Sequence, residues 1–189
     1  MGIILGRAAT MAGYTACQTQ NYGTESRGGY CRAMVVVEKG EARVGSPVLE
    51  SPNYLVAFSQ AAYNTYRGKV GRAVVFYDPD LVQEVDSDPG TVLLPVPATV
   101  LAKEKLGSTM AANAVMLGRL VREFNRREEG EYFLPPEAVK TALSEVFSNR
   151  FRDANLRGFD LGYGGSDLGH GSSDLGLGSS DRGHGESSL

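Results

Sequence analysis

Three short apolar runs, each closed by a turn signal, constrain this chain more than any other feature. They are 54–59 (YLVAFS), 72–77 (RAVVFY) and 91–95 (TVLLP). A strand with one face in water alternates apolar and polar residues, whereas a strand covered on both faces is apolar throughout. Pro52 bounds the first run and Asp78-Pro79 stops the second. Ser59 is placed to cap a helix over 60–66 between them. Strand, helix and strand with short connections predict a parallel or mixed sheet in an α/β fold with Rossmann-like layers and flanking helices.

The segments around this unit read as follows. Residues 1–12 are a short apolar helix with Gly13 as its stop. Residues 14–20 (YTACQTQ) and 30–38 (YCRAMVVVE) are strands, the second opening with Cys31, Ala33 and Val35 opposite Arg32. Between them, 21–29 is a glycine-rich loop. Lys39-Gly40-Glu41 is a turn, and a short extended piece runs through Arg43 and Val44. Pro97 and Gly107 bracket a helix over 98–106. Ser108 or Thr109 caps the next, whose stripe of Met110, Ala114, Leu117, Val121 and Phe124 faces a core. Pro135-Pro136 opens a last helix with Val139, Ala142, Leu143, Val146 and Phe147 on one face. Cys17 and Cys31 read as small buried thiols, and Lys103 and Lys105 as a solvated helix face.

Composition divides the chain of 189 residues in two. From Asp160 onward there are nine Gly and seven Ser in thirty residues, in a seven-residue repeat: DLGYGGS, DLGHGSS, DLGLGSS and a degenerate DRGHGES. Two or three Gly per unit cost a helix about 2–3 kcal/mol relative to Ala. The expectation is therefore a domain over 1–159 and a disordered tail over 160–189, dispensable for stability if cut after Asp160. The tail carries −4 of the net −3, which leaves the body near +1. A body so balanced has no electrostatic footprint for nucleic acid or an anionic membrane. No apolar run approaches the ~20 residues of a spanning helix, and no basic flank precedes a signal-type run, so the compartment reads as cytoplasm. Two Cys make neither an iron–sulfur nor a zinc set. His170 and His184 both lie in the tail, so the body has no imidazole for a Ser-His or Cys-His mechanism. No metal ligands and no catalytic residues are assigned.

The loop Gln18–Gly29 (QTQNYGTESRGG) follows a strand, where α/β proteins bind ligands. Gly23, Gly28 and Gly29 allow close backbone approach, Arg27 offers a bidentate fork, Glu25 can hold that fork, and Tyr22 adds an amphipathic ring. A Glu–Arg staple to a neighbouring chain fits the same residues equally well. The loop closely resembles the Gln-x-x-Tyr-Gly-x-Glu-x-Arg-Gly-Gly motif of the gamma subunit of 2-oxoacid:ferredoxin oxidoreductases, nearest the 2-oxoglutarate type. YLVAFSQAAYNTY, FYDPDLV and PVPATVLAKEKLGSTMAANAVMLG are similar to further segments of that family, in the same order, so the resemblance covers about 1–160. The family normally opens with a strand and a Gly-Phe-Gly-Gly-Gln-Gly type loop. MGIILGRAATMAG resembles the helix just after it, so this chain is expected to lack the first strand and glycine-rich turn, through a misplaced start or a genuinely short protein.

The resemblance implies one subunit of an enzyme that converts a 2-oxoacid and coenzyme A to acyl-CoA and carbon dioxide while reducing ferredoxin. Thiamine diphosphate, magnesium and iron–sulfur clusters are then held by alpha, beta and ferredoxin-like partner subunits, with no cofactor in this chain, which alone should be inactive. Candidate coenzyme A, substrate-side or subunit-interface positions are Tyr22, Gly23, Glu25, Arg27, Gly28, Gly29, Ser59, Gln60 and Asn113. Helix capping is the plainer role for Ser59, and a helix-packing hydrogen bond for Asn113. The alternatives are an indolepyruvate or branched-chain 2-oxoacid enzyme, or a ligand-binding or scaffold module without turnover.

Overall fold

The three apolar runs become three parallel strands flanked by helices. The computed structural model describes residues 1–22, 31–40, 49–86, 89–128 and 133–165. In chain order these form α1 (Gly2–Met11), β1 (Thr15–Tyr22), β2 (Cys31–Glu38), β3 (Tyr54–Ala57), α2 (Gln60–Tyr66), β4 (Val74–Tyr77), β5 (Val92–Pro95), α3 (Ala98–Leu106), α4 (Ala112–Arg127), α5 (Pro136–Val146) and α6 (Asn149–Gly164). Strands β3, β4 and β5 pair in parallel in that order, with Tyr54 opposite Val74 and Val74 opposite Val92. The expected extended piece at Arg43 and Val44 lies outside the described residues.

Coverage of both faces explains the unbroken apolar character of β4. Val75 points with Ala57 and Ala73 into a cluster closed by Tyr63 of α2, Val70 and Val82. Val74 and Phe76 point the other way, onto Ala98 and Ala102 of α3 and Ala112, Val115 and Met116 of α4. Two helix boundaries follow from local chemistry. Ser59 Oγ accepts the Ala62 amide at 3.2 Å and starts α2. Gly107, at φ +73°, ends α3 in the left-handed region that a glycine enters freely.

Strands β1 and β2 form a separate antiparallel hairpin, running from Thr15 opposite Glu38 to Tyr22 opposite Cys31. Helix α1 covers one of its faces: Ile4, Ala8 and Ala9 are buried with Ala16 and Val37 packed against them. The hairpin and the parallel strands therefore form two separate sheets. Cys31 is exposed and Cys17 half-buried, so neither is a fully buried thiol. Cys31 pairs with Tyr22 at the loop end of the hairpin.

The stripe on α4 is buried at Ala114, Leu117 and Val121, but Met110 is 65% exposed. Met110 belongs to a 3-10 turn over Thr109–Ala111 capped by Ser108, so its side chain departs from the helical stripe. On α5, Val139, Ala142 and Leu143 are buried while Val146, at the helix end, is exposed. Glu123 of α4 accepts from Arg126 and Arg127, which hold its carboxyl down to about 2.

The largest departure is α6, which the sequence reading lacked. It runs to Gly164, five residues into the repeat, so the expected boundary at 159/160 falls inside a helix. Gly158 and Gly162 lie against α4 and the turn that leads into it. A Cβ on Gly162 would overlap the Val115 carbonyl oxygen and stand 3.1 Å from the Arg119 amide nitrogen; one on Gly118 would overlap the Phe159 carbonyl oxygen. The glycines that penalise an isolated helix let these two backbones touch, and close packing offsets their propensity cost. Among the described residues no helix is long and apolar enough to cross a membrane.

Candidate functional site

The expected site residues divide into two groups. The loop bearing Gly23, Glu25, Arg27, Gly28 and Gly29 lies outside the described residues, as does the Tyr22 side chain. Its stems are placed: Tyr22 ends β1 and Cys31 begins β2. Ser59, Gln60 and Asn113 are described, and each has a local account.

Ser59 is the cap of α2. The Gln60 amide makes four hydrogen bonds. Its Oε1 accepts from Gln83 N at 2.9 Å and Glu84 N at 3.0 Å. Its Nε2 donates to Glu84 O at 2.7 Å and Asn64 Oδ1 at 3.1 Å. A ligand at Gln60 must therefore displace the 83–84 backbone. Asn113 is exposed in the first turn of α4, between the buried Ala112 and Ala114, and not in the packed stripe where a partnered amide was expected.

What the C-terminal ends of the parallel strands do hold is Asp78, fully buried just after β4. Its Oδ2 accepts from Thr99 N at 2.8 Å and Thr99 Oγ1 at 2.6 Å, and its Oδ1 from Asp80 N at 3.1 Å. This carboxylate serves the first turn of α3, whose orphan amides point toward the strand end. Beside it, Asp80, Thr99, Val100, Lys103, Glu104 and Thr109 line a cleft of about 520 Å³. Asp78→Ala is expected to destabilise the chain by about 1–2 kcal/mol, because it removes the acceptor that caps the part-buried Thr99 amide and hydroxyl. Asp78→Asn, which keeps one acceptor, should cost less than half of that. Urea denaturation of the two variants measures the difference.

A second cluster joins the hairpin to α2. Tyr66 ends α2, and the Arg32 guanidinium lies over its ring, 5.6 Å from the centroid. Lys69 Nζ stands 5.6 Å from the same centroid. One turn earlier, Arg67 lies over Tyr63 at 6.0 Å and pairs with Asp86. Tyr63 OH accepts from Asp86 N and donates to Asp86 O, each at 3.0 Å. Arg32 sits opposite Asn21, immediately inside the glycine loop, so this contact fixes the loop's stem against α2. Sequence reading missed it; the local signal is one arginine ahead of the apolar run 33–37.

Among the described residues no group of three or more His, Cys, Asp or Glu is placed to hold a metal ion. His170 and His184 lie outside them.

Comparison with known proteins adds what geometry alone does not. The family model described as pyruvate ferredoxin/flavodoxin oxidoreductase matches residues 1–165. A protein of Methanothermobacter marburgensis named 2-oxoglutarate synthase subunit KorC is 42% identical over 169 residues, 85% of this chain and 86% of the relative. The protein of the same name from Methanothermobacter thermautotrophicus is 35% identical over 168 residues, 85% and 84% of the two chains. A solved keto/oxoacid ferredoxin oxidoreductase gamma subunit from Geobacter sulfurreducens superposes with a TM-score of 0.68 at 25% identity, covering 86% of this chain and 87% of the other. A Magnetococcus marinus 2-oxoglutarate:ferredoxin oxidoreductase, solved with 2-oxoglutarate, coenzyme A and succinyl-CoA bound, shares the fold at a TM-score of 0.70 and 22% identity; the match spans 86% of this chain and 27% of that one.

Proposed function

Because this chain belongs to the pyruvate ferredoxin/flavodoxin oxidoreductase family, we propose that it is the gamma subunit of a 2-oxoacid:ferredoxin oxidoreductase acting on 2-oxoglutarate. The observation that carries the substrate class is the 42% identity, along most of both chains, to a 2-oxoglutarate synthase subunit. The reaction is the oxidative decarboxylation of a 2-oxoacid with coenzyme A. It yields the acyl-CoA and carbon dioxide, and the electrons released pass to ferredoxin.

The work is shared between chains. Thiamine diphosphate, magnesium and iron–sulfur clusters belong to alpha, beta and ferredoxin-like partner subunits, and that chemistry is theirs. This chain supplies orientation and charge. Its glycine loop, with Tyr22, Gly23, Glu25, Arg27, Gly28 and Gly29, faces coenzyme A, the substrate or the partner subunits. Ser59 and Gln60 fix the start of α2, and the exposed Asn113 is available to a partner. Arg27 is the residue in the loop best suited to a bidentate anion, and lysine does not reproduce its fork.

The test is co-expression with the neighbouring thiamine-binding and ferredoxin-like subunits, followed by viologen reduction with 2-oxoglutarate, pyruvate and 3-methyl-2-oxobutanoate. Coenzyme A-dependent reduction fastest with 2-oxoglutarate is the expected result. The third substrate is included because ketoisovalerate oxidoreductase subunits VorA are 32–33% identical to this chain, which spans 32% of their length. A preference for it would move the assignment, and absence of any 2-oxoacid-dependent turnover in an assembled complex would overturn it.

A further inference from the structure

Arg32 and Lys69 both stand 5.6 Å from the centre of one ring, that of Tyr66, so their charges are no more than two such spans apart. The neighbouring Arg67 is neutralised by Asp86. Arg32 and Lys69 are not: among the described residues neither forms an ion pair, and the Arg32 Nε is buried without a hydrogen-bond partner. A guanidinium that loses water without gaining an acceptor carries a cost, and a second cation on the same ring adds repulsion. Ring faces attract cations, which explains how the pair is tolerated. They do not discharge it. An anion shared by the two cations would.

The location narrows what that anion is. Arg32 is the second residue of β2, where the hairpin leaves the glycine loop, and Lys69 lies in the 3-10 turn that continues α2. The cluster is therefore at the foot of the loop proposed to face the coenzyme. An ammonium and a guanidinium disposed about one ring suit a group with several anionic oxygens in different directions, as the phosphate ester and phosphoanhydride of one coenzyme have. We infer that Arg32 and Lys69, held by Tyr66, form a recognition site for the phosphate groups of coenzyme A at the stem of the glycine loop. The inference rests on the functional reading above and assigns a second anchor to the same ligand.

The test uses the assembled complex and calorimetric titration of coenzyme A, which needs no turnover. Arg32→Gln and Lys69→Gln should each weaken coenzyme A binding at least about fivefold, and Arg32→Lys should recover part of the loss. The Michaelis constant for 2-oxoglutarate should stay within about twofold. ADP, which carries phosphates without the pantetheine arm, should compete with coenzyme A in the wild type and more weakly in both glutamine variants. Lys69 is exposed, so its variant remains folded even if Arg32→Gln loosens the hairpin. Unchanged coenzyme A affinity in Lys69→Gln and in a folded Arg32 variant overturns the inference. So does loss of partner subunits on purification with affinity intact, which would assign the cations to a partner's carboxylates. Turnover by the wild type, measured in the same preparation, reports separately on the functional reading.

Discussion

Gly162→Ala should cost the chain about 3 kcal/mol or more, a large part of the stability of an ordinary domain. In a solvated helix the same change gains about 1 kcal/mol of propensity. Here the added methyl falls on the Val115 carbonyl oxygen, with the Val115 carbonyl carbon at 2.8 Å and the Arg119 amide nitrogen at 3.1 Å. These are backbone atoms of α4 and cannot swing aside as a side chain can. Helix α6 must back away, and the contacts that bury Phe159, Leu117 and Val115 open with it. The neighbouring glycines supply internal controls. Gly158→Ala brings its methyl 3.1 Å from Ala111 O and 3.2 Å from the Ala111 and Ala114 Cβ atoms, a tight fit with some room to give. Gly164→Ala meets nothing within 4 Å. The order of loss in thermal or urea denaturation should be Gly162, then Gly158, with Gly164 unchanged or slightly stabilised. A neutral Gly162→Ala would mean that α4 and α6 do not touch as described.

That interface also marks where the chain's local signals stop being informative. Helices α2 and α3 have the expected bounds because their ends are written locally, in the Ser59 cap and the Gly107 stop. Strands β3 to β5 were legible because side chains packed into a cluster on each face leave an unbroken apolar run. Helix α6 has neither signature. Its contact face includes Gly158 and Gly162, which add almost nothing to an apolar stripe and count against a helix when scored alone. Only the facing α4 backbone turns them into an advantage, and that partner lies about forty residues away in sequence.

The candidate site divides in the same way. The glycine loop and its Arg27 are recognisable as a motif because their chemistry is contiguous. The Asp78–Thr99 pair spans 21 residues, and the Arg32–Tyr66 contact joins two separate sheets through a helix end. Neither has a spacing that sequence could report. Asn113 shows the converse error. It follows Ala112 and precedes Ala114, both buried, yet one step of about 100° around the helix takes its amide to solvent.

Two truncations five residues apart should separate the contribution of the helix from that of the repeat that continues it. Truncation after Asp160 deletes Leu161, which packs on the α3–α4 core, and Gly162. It also deletes Tyr163, stacked on Phe159 at 5.8 Å between centroids, and the Gly165 carbonyl to which Arg119 and Arg122 donate. Arg119 is 4% exposed, so the lost carbonyl is not readily replaced by bulk water. Together these losses are expected to cost about 3–4 kcal/mol, or roughly 10 °C in Tm for a chain of this size. Truncation after Gly165 keeps all of them. The residues it removes have a net charge of −3 and few apolar side chains, too little surface to offset the entropy of ordering them, so Tm should stay within about 2 °C. Differential scanning calorimetry of the two truncations against the full chain decides the matter. A small effect from the first would place the end of the fold before α6 closes on α4. A large effect from the second would mean that the remaining repeats also contribute to stability.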